Sequence, residues 1–297
     1  MINYVLGVFV AIAGGMTNFL GQVLQKKVVN SIPKEDRNKR MMKSLIKNPV
    51  WLTGFLLMFI LSAIFIMSAQ GIIGAALVPG LTASGLIVLA IGSVKVIGEQ
   101  LKKSEVIGIF LIIAGVACIG LSELSIEGSL DYFTDLSFVT RLLVFTIIFL
   151  ALWISFIIIG RKREKGKIIF LSLGAGYPFV LGNVWLQPLI ISLAGLASGN
   201  VGPLIITVFI ISAVLEIFTS FIGLSNLQEA FGEGNASLVV PIQQIPQQIG
   251  PVLIYYLVYA FPSPSLVSLL LMIVGIALIT SSGFILAKRQ AALEEIK

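Results

Sequence analysis

An all-helical integral membrane protein, with about nine transmembrane helices in an inverted-topology repeat, is the fold class this sequence predicts. Three observations predict it. Of 297 residues, 57% are hydrophobic and only 11% charged, with a mean hydropathy of +1.04, whereas about a quarter of a soluble domain is charged. The apolar residues fall in long runs. In lipid the backbone must satisfy its own hydrogen bonds, so such runs form helices, and the short alternating segments of a β-barrel are absent. Finally, the second half of the chain repeats the first. Ala13-Gly14-Gly15-x4-Leu20-Gly21-Gln22-Val23 returns as Gly174-Ala175-Gly176-x4-Leu181-Gly182-Asn183-Val184, and Ala69-x-Gly71 as Ala230-x-Gly232. Ala75-Ala76-Leu77-Val78-Pro79 returns as Ala236-Ser237-Leu238-Val239-Val240-Pro241, with one extra residue, and Ala114-Gly115-Val116-Ala117 as Val274-Gly275-Ile276-Ala277. Four matched patches in one order mark a chain built from two similar halves.

The predicted spans are Ile2–Gln25, Val50–Gln70, Ile72–Val94, Glu105–Ser122, Phe138–Gly160, Ile168–Ala194, Pro203–Leu224, Ala236–Phe261 and Leu266–Leu286. Each is near the roughly 20 residues that cross the hydrocarbon, the fourth being short. Basic residues sort the loops. Lys26, Lys27, Lys34, Arg37, Lys39, Arg40, Lys43 and Lys47 follow the first helix, and Lys95, Lys102 and Lys103 follow the third. Arg161, Lys162, Arg163, Lys165 and Lys167 follow the fifth, and Lys288, Arg289 and Lys297 end the chain. The alternate loops hold almost none, Arg141 being the exception. The positive-inside rule then places the N-terminus outside and the C-terminus in the cytoplasm, in the plasma membrane. The net charge of +6 reports this topology and not nucleic-acid binding. The first and sixth helices run in opposite directions, so the repeat is inverted. A single transporter-like domain over 1–297 divides into a first repeat (1–122), a linker with the fifth helix (123–167), a second repeat (168–287) and a cytoplasmic tail (288–297).

Met1-Ile2-Asn3-Tyr4 lacks a basic n-region, so no cleavable leader is expected. Cys118 is alone, which leaves no disulfide framework, and the chain has no histidine. No HExxH, GxSxG or Walker loop is present. The chain is therefore read as a non-enzyme without cofactors, driven by a gradient or the membrane potential.

Polar residues within the spans mark the candidate site, because they are costly against lipid and face the bundle interior. On the seventh helix Ser212, Glu216, Thr219, Ser220 and Gly223 share a face by the 100° helical step. Glu216 is the one carboxylate deep in a predicted span. It is either a proton relay or switchable cation site, or a protonated side chain bonded to its neighbours. On the eighth helix Gln243, Gln244, Gln247 and Gln248 cover an arc of about 140°, punctuated by Pro241, Pro246 and Pro251. Prolines remove backbone donors, so freed carbonyls and Gln amides are expected to line a cavity. The blander alternative is glue between helices. Asn18, Gln22 and Gln25 share a face of the first helix with Gly14 and Gly21, and Asn183 and Gln187 share one with Gly176 on the sixth. Trp51, Trp153 and Tyr259 are interfacial anchors or core residues. Glu123, Glu127, Asp131 and Asp135 make the loop after the fourth helix acidic. That loop either concentrates cations or is simply solvated.

The chain resembles the drug/metabolite transporter superfamily, and within it the NIPA-type magnesium transporters. The resemblance rests on Gly21-Gln22-Val23-Leu24-Gln25-Lys26-Lys27, Asn48-Pro49-x-Trp51-Leu52-x-Gly54-x2-Leu57-Met58, Leu77-Val78-Pro79 and Gly98-Glu99-Gln100-Leu101. Asn226-Leu227-x2-Ala230-x4-Asn235-Ala236-Ser237-Leu238-Val239-Val240-Pro241-Ile242 carries it into the second half. Leu61-Ser62 stands where that family tends to have Gly-Glu, and Gln243-Gln244 where it often has Tyr-Tyr. The resemblance implies a secondary transporter of magnesium or another divalent cation, with Glu216 as metal ligand. The residues themselves leave two alternatives open. One is a proton-coupled transporter of a small organic amine or amino acid. The other is a non-transporting assembly subunit. Expected partners are the transported solute or Mg²⁺ and the lipid bilayer, with a homo-oligomer compatible and nucleic acid excluded.

Overall fold

A computed structural model describes residues 2–33, 41–73, 78–122, 124, 129–199 and 201–294. Lys34, Arg37, Lys39, Arg40, Ala75 to Leu77, Glu123, Glu127 and Lys297 lie outside them. Helix accounts for 88% of the described residues, which contain no strand. The elements are α1 (Ile2–Ser31), α2 (Met41–Ile46), α3 (Pro49–Leu56), α4 (Ser62–Ile73), α5 (Val78–Ala83) and α6 (Leu86–Gly92). After them come α7 (Lys103–Leu121), α8 (Leu136–Lys162), α9 (Lys167–Ala197), α10 (Pro203–Glu233), α11 (Ala236–Leu253) and α12 (Leu266–Glu294). A π turn at Leu57–Leu61 joins α3 to α4, so these form one continuous rod. Two more π turns, Ser93–Ile97 and Ile254–Val258, end α6 and α11.

Among the described residues, seven helical segments are long and apolar enough to cross a membrane. Of the nine predicted spans, the third and eighth are not among the seven. The third is split: Ile72 and Ile73 belong to α4, and α5 and α6 meet at a turn over Ser84 and Gly85. The eighth is continuous, but four glutamines dilute its hydropathy. Its prolines do not break it. Pro241 and Pro246 sit inside α11, and only after Pro251 does the ladder loosen into the π turn.

The first helix extends beyond Gln25 to Ser31, which carries Lys26 into the helix and buries it. Lys26 is therefore not a loop charge. The exceptional Arg141 also has a structural cause. Its Nε donates to the Val258 carbonyl at 2.9 Å, placing a cation on the exposed end of the π turn after α11. Asp135 caps α8 by accepting from the Ser137 N–H at 2.9 Å. Asp131 accepts from the Ser129 hydroxyl at 2.9 Å. Both acids serve local turns.

Close helix contacts recur at one offset. A Cβ on Gly15 would lie 2.0 Å from the Thr82 carbonyl oxygen, and one on Gly176 would lie 2.5 Å from that of Gln243. Gly21 of α1 abuts Met58, and Gly182 of α9 abuts Thr219. Each second contact is the first shifted by 161 residues in both partners. The π turns at Ser93–Ile97 and Ile254–Val258 stand at the same offset. α7 and α12 pack antiparallel through a reciprocal contact: a Cβ on Gly115 would lie 2.8 Å from the Gly275 oxygen, and one on Gly275 2.7 Å from the Gly115 oxygen. Two hydroxyl bonds flank it symmetrically, Ser268 to the Ser122 carbonyl at 2.5 Å and Ser282 to the Gly108 carbonyl at 2.8 Å.

Candidate functional site

Two adjoining pockets of about 140 and 230 Å³ lie where α1, the α3–α4 rod and α5–α6 face α11. Asn18, Ile66, Gln244 and Gln247 line both. Gln248 and Thr82 complete the smaller, and Gln22, Ser62, Phe179 and Gln243 the larger. Six of the ten predicted site residues, Asn18, Gln22, Gln243, Gln244, Gln247 and Gln248, are thus brought together. The glutamine run reaches the cavity because positions 243, 244, 247 and 248 repeat at helical spacing on one face of α11. Pro251 has no N–H to offer the Gln247 carbonyl, the backbone freedom the prolines were expected to supply.

Side-chain amides chain together within this cavity. Asn18 Nδ2 donates to the Met58 carbonyl at 3.2 Å, and Gln22 Nε2 to Asn18 Oδ1 at 2.8 Å. Gln248 Nε2 donates to Gln244 Oε1 at 2.9 Å. Gln243 is only 1% exposed, yet neither atom of its amide has a partner, and Gln22 Oε1 also has none. A buried, unmet amide costs about 1–3 kcal/mol, and both of these residues border the larger pocket.

The other predicted site residues are elsewhere. Glu216 packs between α10 and α9, where a Cβ on Gly182 would lie 2.8 Å from its Oε2. Its Oε1 accepts from the Ser220 hydroxyl at 3.3 Å, and Oε2 has no partner. Thr219 spends its hydroxyl on the Leu215 carbonyl at 2.7 Å. Asn183 is exposed and Gln187 half-buried. None of these four lines either pocket. One face of a helix is not one site: the α10 face found by the 100° step packs on α9, within one half of the chain. Among the described residues no three metal-ligating side chains of the His, Cys, Asp and Glu type come together, so Glu216 belongs to no such cluster.

One end of the cavity is sealed by polar residues that the sequence reading did not assign to the site. One turn beyond Gln22, Gln25 accepts from Gln228 Nε2 at 2.5 Å, and Gln228 Oε1 accepts from the Trp51 indole at 3.3 Å. Lys26 donates to the carbonyls of Phe231 and, at 2.6 Å, Gly234, where α10 ends without a basic residue of its own. Glu99, in the turn after α6, accepts from the N–H groups of Ala236 at 2.7 Å and Ser237 at 3.1 Å, where α11 begins and Asn235 gives no side-chain cap. The cation meets the negative end of one helix dipole and the carboxylate the positive end of the next. Burial pushes the Glu99 carboxyl above its ordinary range, opposed by those two N–H groups and by the charge of Lys26. The side chains of α11 are buried from Ala236 through Gln244, and Ile245, Gln247, Gln248 and Ile249 are partly accessible. The Lys26 end of the cavity is the end closed by paired polar groups.

No protein-family model, curated protein or solved structure matches this chain. The geometry is what speaks for its function. In the sequence Gln25 stands out as part of a polar face, Lys26 as a loop charge and Gly98-Glu99 as carriers of the family resemblance, none of them as a seal. A lysine at the end of an apolar run reads equally as a loop charge, and only the fold shows it buried. Ser62 stands out in the sequence where the family resemblance breaks and Thr82 beside the kink expected at Pro79, whereas Phe179 gives no signal, being an ordinary residue in an apolar helix.

Proposed function

We propose that this chain is a multi-pass secondary transporter that moves a small solute by alternating access. The carrying observation is a mid-depth cavity between the two halves, lined by unmet amides and sealed at one end by paired polar groups from both halves. The contacts that recur at a 161-residue offset, and the reciprocal Gly115–Gly275 pair, support nine helices in an inverted repeat around it. The basic loops support a Lys26 end facing the cytoplasm, in a plasma-membrane orientation with the N-terminus outside. In that orientation the described conformation is open outward. Rocking one half against the other would break the Lys26 and Glu99 contacts and open the inner end.

Resemblance to NIPA-type magnesium transporters within the drug/metabolite superfamily supports the same architecture. It supports the substrate less well, because Mg²⁺ sites use carboxylates and the cavity walls hold none. Proton coupling through Glu216 is a second reading, favoured by its unpartnered Oε2. Reconstitution into liposomes tests transport: the protein is expected to move a small organic solute faster than protein-free vesicles. Flux of Mg²⁺ alone would return the resemblance to first place, and flux of nothing would favour an assembly subunit.

A further inference from the structure

We infer that the cavity selects an uncharged solute offering a hydrogen-bond donor and acceptor side by side, of the carboxamide, lactam or nucleobase kind. The inference deepens the transport reading, and rests on it only for physiological meaning. Three observations carry it.

The first is charge. None of the side chains lining either pocket is ionisable. An ion moved out of water needs an opposite charge or a full set of ligands to repay its lost hydration. The nearest charges on α1 and the turn after α6, Lys26 and Glu99, are bonded to helix ends at the seal. A dication or a quaternary amine would find no countercharge here.

The second is the unmet amide. Gln243 carries a donor and an acceptor with no protein partner, and Gln22 a lone acceptor, on residues from opposite halves that border the same pocket. A primary amide has its NH₂ and oxygen side by side. It pairs two-fold with any planar edge that reverses that order, as Gln does with an adenine edge. A spherical cation satisfies only the oxygen, and a lone hydroxyl must bend both bonds to one atom to reach both ends.

The third is shape and surface. The pocket bordered by Gln243 measures about 230 Å³, room for several water-sized groups. Phe59 and Phe179 line it too, supplying aromatic surface for a flat solute. A small planar amide fits this combination of volume, aromatic wall and paired polar ends.

Thermal shift and equilibrium dialysis on the purified full chain test this with uracil, nicotinamide and urea against magnesium chloride, tetramethylammonium chloride and sodium acetate. At least one of the amides is expected to bind and raise Tm, and no charged probe to do so. Gln243→Leu is expected to weaken that binding about tenfold or more. Gln22→Met, near-isosteric, weakens it in a second background, with each variant's unliganded Tm reporting that it folds. Binding by Mg²⁺ or tetramethylammonium with the amides silent overturns the inference. So does silence from every probe, or amide binding that survives both substitutions. Flux separates the two proposals: an amide that binds but is not moved sinks transport and leaves the site, while flux of Mg²⁺ with the amides silent does the reverse.

Discussion

One helical turn separates Gln22 from Gln25 and Lys26 on α1, yet the two levels are opposites. At the Lys26 level the buried amides and charges are bonded across the two halves: Gln25 to Gln228, Lys26 to the end of α10, Glu99 to the start of α11. At the Gln22 level, the Gln243 amide and the Gln22 Oε1, equally deep in the protein, are left without partners. Burial alone therefore does not distinguish a seal from a site. Pairing across the halves separates these particular residues, although Asn226 Nδ2 and Ser237 Oγ near the seal are also without partners.

Substitutions at the two levels are expected to differ in sign. Lys26→Ala is the largest: it uncaps α10 and strands Glu99, so a loss of about 3–5 kcal/mol is expected in chemical unfolding in mixed micelles. A loss below about 1 kcal/mol would show that the seal is not held by charge. Next come Gly115→Val and Gly275→Val, each overpacking a backbone contact and each expected to cost about 1–3 kcal/mol. Because the contact is reciprocal, the two losses should agree, and strongly unequal losses would break the symmetric reading. Gln243→Leu is expected to leave stability unchanged or raise it by about 1 kcal/mol, since it removes an unmet amide. A marked loss of stability would place Gln243 in the seal.

The fourth effect is in pH. Glu99 holds its proton more tightly in the folded protein than at its ordinary value of 4.5. Its contribution is thus fully present below pH 4.5 and is lost as pH rises through the raised value. Stability of the wild type against pH, compared with Glu99→Gln, should show this fall only in the wild type. An identical slope in both would remove Glu99 from the account. The smallest effect is expected at Arg161, whose bidentate pair with Glu229 at 2.9 and 2.7 Å lies on the surface. Arg161→Ala should cost under about 1 kcal/mol in the same unfolding assay.

Much of the architecture was legible because lipid leaves the chain few choices. Apolar runs gave the fifth, sixth, seventh and ninth predicted helices as α8, α9, α10 and α12, the first two longer at both ends and the last two at the C-terminal end. Among the described residues the third predicted helix is divided by a turn over Ser84 and Gly85, where a Cβ on Gly85 would lie 2.3 Å from the Gly15 carbonyl oxygen, a contact that hydropathy does not encode. The glutamine face was legible by periodicity alone. Glu216 was not, because helical spacing fixes which residues share a face but not which neighbour that face meets. The seal was hidden for the same reason: Lys26 and Glu99 are far apart in sequence, and their partners are backbone groups that no side-chain pattern encodes.

The central claim is that the Gln cavity opens to one side of the membrane at a time, with the Lys26 seal holding the described state. Thiol accessibility tests it most directly, using Gln244→Cys in a Cys118→Ser background and a membrane-impermeant maleimide applied to either face of oriented vesicles. With Lys26 intact, labelling is expected from the face opposite the seal, and adding Lys26→Ala is expected to shift labelling toward the Lys26 face. Equal labelling from both faces with the seal intact, or a pattern that Lys26→Ala leaves unchanged, would contradict the account.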